Sequence, residues 1–194
     1  MSSGTETLTN LSQYDNSWYR PGNRIKIFVW YFTNACILNT SLIPFSCLKV
    51  FLLRLFGAKI GQRVCVKPSV SVKYPWLLTV GDNVWIGENV WIDNLAQVTI
   101  GNNVCISQGA YLCCGNHNYK KRGFDLMLGK ITLKEGCWIC AGAKICPGVT
   151  ANEYSILGVG SVTSKDLEAR GIYRGNPAMK IGERIFEGEA TTDN

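Results

Sequence analysis

The chain has 194 residues, enough for one domain with a substantial core, and its 46% hydrophobic against 18% charged residues excludes a disordered polymer. Its 20 Lys and Arg exceed its 14 Asp and Glu by a formal +6, spread along the chain in a way that suits a polyanionic ligand or an acidic membrane surface and indicates no nucleic-acid stripe. Nine cysteines is an odd number and the first 23 residues lack the apolar core of a secretory signal, so reduced thiols in a cytoplasmic protein are expected.

Residues 1–56 read as an N-terminal arm and an amphipathic helical cap. "RIKIFVWYFTNACIL" and "CLKVFLLRLFGAK", divided at Pro44, both have helical character. Neither offers the roughly 20 apolar residues of a membrane-spanning helix. Phe28, Trp30, Tyr31 and Phe32 beside Arg20, Arg24 and Lys26 fit a cap over the open end of a repeat domain. They equally fit peripheral membrane contact through residues 24–56, and the two roles are compatible.

From position 57 to 170 the chain keeps a six-residue beat, in "IGQRVC VKPSVS", "VGDNVW IGENVW IDNLAQ", "IGNNVC ISQGAY LCCGNH" and "LKEGCW ICAGAK ICPGVT ANEYSI LGVGSV". The lead position is aliphatic, as in Ile86, Ile106, Ile139 and Leu157. Four residues later comes a small or β-branched residue, as in Val90, Ala110 and Ala143. Neither a helical period nor strand alternation produces this. A parallel β-helix does, since each hexad makes a short strand and a corner, three strands complete a triangular coil, and coils pair at about 4.8 Å. Lead aliphatics stack inside the prism, and glycine or asparagine at the corners tolerates left-handed backbone.

Two irregularities stand out. Between Ile92 and Ile100 the beat slips by two residues, which reads as a bulge re-aiming Asp93 and Asn94 toward a substrate or toward a neighbouring side chain; they are equally ordinary turn residues. After Leu112 the hexads stop until Ile131, so residues 113–130 read as a projecting loop with the only histidine, His117, at its base. An isolated histidine is more often structural, but at the main break of a repeat scaffold it is a candidate general base. Cys137 and Cys140 form a lone CxxC; with no second pair and one histidine, no metal site is expected. Residues 171–194 read as a short C-terminal tail.

The hexads resemble the left-handed β-helix acyltransferases, a mainly β fold. "FLLRLFGAKIG", "VKYPWLLTVGD" and "RGNPAMKI" resemble the sugar O-acetyltransferases of colanic acid and related exopolysaccharide synthesis. The resemblance implies direct acetyl transfer from acetyl-CoA to a sugar hydroxyl, with His117 as general base. It implies a homotrimer whose sites lie between subunits, and a sugar or lipid-linked glycan as acceptor. The "WICA" stretch places the backbone amide of Ala141 as oxyanion donor, with Cys140 where glycine is usual. "GVGSVTSKD" implies that Ser164 and Lys165 contact the coenzyme, with Gly142 and Val159 as backbone donors. Gly182 stands where the family carries arginine, so Lys180 or Arg184 is expected to substitute. Acetylation of an antibiotic or other small alcohol, and a non-catalytic β-helix scaffold, are the alternatives. A β-helical carbonic anhydrase, with three zinc-binding histidines, is excluded.

Overall fold

The computed structural model describes residues 8–188, and the ends of the expected arm and tail, 1–7 and 189–194, lie outside that range. The hexads close into a parallel β-helix with three faces, two of five strands and one of seven. The first face holds Lys59–Ile60, Leu78–Val80, Val98–Ile100, Ile131–Leu133 and Thr150–Ala151. The second begins Cys65–Val66, Trp85–Ile86, Cys105–Ile106, Trp138–Ile139, Ile156–Leu157. The third holds Ser71–Val72, Trp91–Asp93, Tyr111–Cys113, Lys144–Ile145 and Val162–Thr163.

Lead aliphatics stack coil upon coil. Ile86, Ile106, Ile139 and Leu157 are register partners on the second face, as are Ile92, Leu112 and Ile145 on the third. All are buried, at about 1.5–3 kcal/mol each. Val90, Ala110 and Ala143, four residues after their leads, are buried too. Corner glycines take left-handed backbone as expected at Gly109, Gly136, Gly142 and Gly160, with φ of 66° to 69°, and others have a second job. A Cβ on Gly87 would stand 2.7 Å from the Gln108 nitrogen, and one on Gly101 2.9 Å from that of Glu135. These glycines let adjacent coils approach; the left-handed backbone falls two residues later, on Asn89 and Asn103, at φ of 58° and 57°.

All departures from the beat accumulate on the edge between the third and first faces. The slip at Ile92–Ile100 widens a corner and is not a bulge within a strand. An equal slip at Val72–Val80, unnoticed in the sequence, accommodates a single 3-10 turn, Pro75–Leu77. One coil further on, the same edge extrudes residues 113–130.

The helices α1 (Arg24–Thr33) and α2 (Ser46–Leu55) stand on the first coil, and their inward residues Trp30, Val50 and Leu53 join the core. A first coil has no coil beneath it, so its backbone groups need other partners. Side chains of the cap supply them. Trp30 Nε1 donates to the Val72 carbonyl at 2.8 Å, and Asn34 Oδ1 accepts from the Val72 amide at 3.1 Å. Ser46 Oγ accepts from Val66 at 2.8 Å, and Lys49 Nζ donates to Lys67 O at 2.9 Å. Arg54 donates to the carbonyl of Ile60. Lys49 is fully buried, and burial pushes its amine below the usual lysine range.

The far end corrects the expected tail. Gly171–Gly175 pairs in parallel with Ile156–Leu157, and Ala178–Glu183 folds back antiparallel onto it, so the second face runs on past residue 170.

Candidate active site

The extruded segment is a hairpin. Gly115–His117 pairs antiparallel with Leu126–Leu128, with Gly115 opposite Leu128 and His117 opposite Leu126. Small residues root it: a Cβ on Gly129 would stand 2.6 Å from the Pro147 carbonyl carbon, and one on Gly115 equally close to Leu95 Cδ1. Asn118 and an Asp125–Lys121 ion pair of 2.8 Å close the turn. His117 therefore sits at the outer end of a three-pair ladder, not at its base.

His117 Nδ1 lies 2.7 Å from the carbonyl oxygen of Phe124. A carbonyl only accepts, so Nδ1 carries the proton of the neutral ring and Nε2 keeps its lone pair. Phe124 holds φ of 55°, a left-handed conformation unfavourable for a bulky residue. The imidazole is exposed, so Nε2 is open to a reactant.

The N-terminal arm lies across this hairpin, which the sequence did not suggest. The Asn10 amide donates to Arg122 O at 2.9 Å, Asp15 N donates to Asp125 Oδ1 at 3.3 Å, and Tyr19 OH donates to Leu95 O at 2.7 Å. Gly123 leaves room for the Gln13 carbonyl, which a Cβ would meet at 2.5 Å. Tyr14 brings its ring to 5.8 Å from that of His117. Leu11, Tyr14, His117 and Phe124 line an open hollow of about 460 Å³.

Asp93 and Asn94 part company. Asn94 is wholly buried and clasps the previous coil, with Oδ1 accepting from Tyr74 N at 3.0 Å and Nδ2 donating to Tyr74 O at 2.6 Å. Both ends of its amide are spent, which corrects the expectation that it meets a substrate. Asp93 does not orient His117, since Phe124 does. Its Oδ2 accepts from Tyr111 OH at 3.3 Å. Oδ1 lies 3.1 Å from Lys73 Nζ, an ion pair whose angles make no hydrogen bond, so this buried oxygen has no hydrogen-bond donor among the described residues. Burial, with Cys113 and Asp93 adjacent, holds the Tyr111 phenol well above its ordinary value.

Ala141, Gly142 and Val159 stand on the opposite edge of the third face, where it meets the second. Gly160 N donates to Ala141 O at 2.9 Å, and Gly142 N donates to Gln108 O at 2.8 Å, which corrects the expectation that Gly142 is a backbone donor to the coenzyme; the Ala141 N–H has no hydrogen-bond partner among the described residues. Cys140 beside it is buried, its thiol pushed up by that burial. Ser164 and Lys165 lie on the hairpin's edge instead. Thr163 Oγ1 donates to Lys165 O at 2.7 Å and accepts from Lys165 N at 3.2 Å, fixing that corner.

No family model matches the chain. It is 41% identical over 167 residues to the Escherichia coli protein assigned as the colanic acid biosynthesis acetyltransferase WcaF, covering 86% of this chain and 92% of that one. The chain belongs to the hexapeptide-repeat acetyltransferase family. Galactoside O-acetyltransferase of Escherichia coli is 30% identical over 130 residues, 65% of this chain and 64% of its own. Among solved structures, the Vibrio cholerae hexapeptide-repeat acetyltransferase VCA0836 complexed with acetyl-CoA shares the fold at a TM-score of 0.71. It is 22% identical and covers 82% of this chain and 86% of its own.

In this acetyltransferase Lys180 is not a free cation. Its Nζ pairs with Glu168 Oε2 and Glu183 Oε1, each at 2.8 Å, and those bonds raise its amine above the ordinary value. Arg184 donates to Gly136 O at 2.9 Å and lies 4.6 Å over Phe186. At Gly182 a Cβ would meet nothing within 4 Å. Sequence reasoning missed Phe124, whose part is played by a carbonyl. It also missed Tyr14, although "QYDNSWY" concentrates aromatics in a polar arm.

Proposed function

We propose that this protein transfers an acetyl group directly from acetyl-CoA to a sugar hydroxyl during exopolysaccharide assembly, at sites shared by the chains of a homotrimer. The observation that carries this reading is the outward Nε2 of His117, left basic by the Nδ1–Phe124 bond. Nε2 takes the hydroxyl proton, the sugar oxygen bonds to the thioester carbonyl carbon, and the carbon–sulfur bond breaks to release the thiol of coenzyme A, which takes up the proton. Such a base contributes about 10²–10⁴-fold.

The Ala141 amide suits the developing oxyanion because its N–H is unspent. Yet it stands on a different edge of the prism from the hairpin, as do Gly142 and Val159. One chain does not bring these edges together; the hairpin edge of one prism beside the Ala141 edge of the next does. Val159 would then serve the pantetheine arm from one chain, with Gly142 lining its path, and Ser164 and Lys165 would serve it from the other. Asp93, whose Oδ1 is buried, would act on the acceptor side through the Tyr111 hydroxyl and the Lys73 amine that it holds.

His117→Ala should lower kcat by at least about 10²-fold while leaving coenzyme A affinity within about twofold. Retained wild-type turnover would remove His117 from the chemistry. A monomer with full activity in sedimentation-linked assays would remove the shared site.

A further inference from the structure

We propose that the helical cap docks this protein onto an anionic lipid surface. The outward side of the cap is apolar at helical spacing. Ile25, Phe28, Val29 and Phe32 share one face of α1, and Leu48, Phe51 and Leu55 one face of α2, all exposed while the opposite sides fill the core. Ile25 is 75% exposed, Phe28 65% and Phe51 59%. The capping role accounts for Trp30, Val50 and Leu53 and gives no reason for these. A soluble surface carries single exposed apolar residues without consequence, whereas a contiguous helical face of phenylalanines marks a docking surface.

Charge selects the occupant. Residues 16–81 contain nine Lys and Arg and not one Asp or Glu, so this third of the chain carries +9 and the remainder −3. Arg20 and Arg24, both exposed, enter α1, and Lys59 and Lys67 are exposed beyond α2. A second copy would bring an equally acid-free face against this one, and like charges oppose such a contact. An anionic bilayer attracts it, at about 1 kcal/mol for each basic residue near the surface. Among the described residues no helix is long and apolar enough to cross a membrane, so the helices lie in the interface and their phenylalanines enter it. This inference needs neither the trimer nor the acceptor proposed above.

The test is flotation of the full chain with vesicles of phosphatidylcholine containing phosphatidylglycerol, against vesicles of phosphatidylcholine alone. The wild type should float with the anionic vesicles at low salt and be largely released at high salt. The double variant Phe28→Ser/Phe51→Ser should partition about a hundredfold more weakly, roughly tenfold per ring, with soluble-acceptor turnover and thermal midpoint unchanged. Arg20→Glu/Arg24→Glu should lose the preference for phosphatidylglycerol. The proposal is overturned if the wild type stays unbound, if the phenylalanine variant floats equally, or if that variant changes the oligomer size in light scattering, which would place the face between copies of the chain.

Discussion

Phe124, seven residues beyond His117, turns its carbonyl oxygen to 2.7 Å from the imidazole Nδ1 and so decides which nitrogen takes a proton. The orientation is set by backbone alone, at a left-handed φ of 55° on a phenylalanine. Because the chain has one histidine, nitrogen NMR reads this ring without ambiguity. In the neutral form Nδ1 should carry the proton and Nε2 should show the shift of an unprotonated ring nitrogen. The opposite tautomer would leave no base facing outward.

Tyr14 brings its ring to 5.8 Å from the same imidazole and, with His117, helps line the open hollow. It is exposed and outside the core, so Tyr14→Ala should leave the thermal midpoint within about 1 °C, as surface changes cost little. The acceptor KM should rise several-fold with kcat less affected. An unchanged KM would confine the arm to holding the hairpin.

The prism was legible because its rule is covalent spacing: a buried lead every six residues is visible as Ile100, Ile106 and Leu112 with no coordinates at all. His117 was legible because the beat fails around it. Phe124 was not, since a carbonyl is present at every residue and only the local φ aims it. Asn94 was misread for a related reason: an Asp-Asn pair at a widened corner looks alike whether the amide faces a ligand or, as here, the backbone of Tyr74 in the coil before. The sequence does not show which edge each coenzyme residue occupies, because adjacent segments supply them all. Six residues on a triangular spool turn the chain to a new face, and Val159 and Lys165 thereby reach different edges.

The cap replaces a missing coil, and Asn34 is its most economical contact: Oδ1 accepts from the Val72 amide and Nδ2 donates to Ser71 Oγ, both at 3.1 Å. Asn34→Ala removes both bonds and leaves an edge amide poorly served. It should cost about 1–3 kcal/mol in urea unfolding. Phe28→Ser, on the outward side of α1, should cost less than about 0.5 kcal/mol and so separates capping from docking.

Lys49 gives the cap a pH signature. Its amine is buried and its pKa lies below the unfolded value of 10.5. Between those two values the unfolded chain binds more protons than the folded one, so stability rises with pH through that window. Below the folded pKa the cost of burying the charge is constant. The Lys49 contribution should therefore grow as pH climbs toward 10.5, so that the wild-type unfolding midpoint gains on that of Lys49→Met across this window. A wild type and a methionine variant with parallel pH profiles would show that the amine titrates no differently when folded.

Gly182 offers a gain-of-function test of the coenzyme end of the site. Its backbone is not left-handed, it lies in the strand Ala178–Glu183, and no heavy atom stands within 4 Å of a Cβ there, so nothing in the fold requires glycine. The adjacent Lys180 is held by two carboxylates and lends little positive charge to a phosphate. Gly182→Arg adds a cation with room to extend. It should leave the thermal midpoint and kcat unchanged and lower the acetyl-CoA KM about three- to tenfold at low salt, a gain that shrinks as salt screens the pair. Acetyl-dephospho-CoA, which lacks the ribose phosphate, should show a smaller gain. An unchanged KM for both donors would place the nucleotide away from this strand.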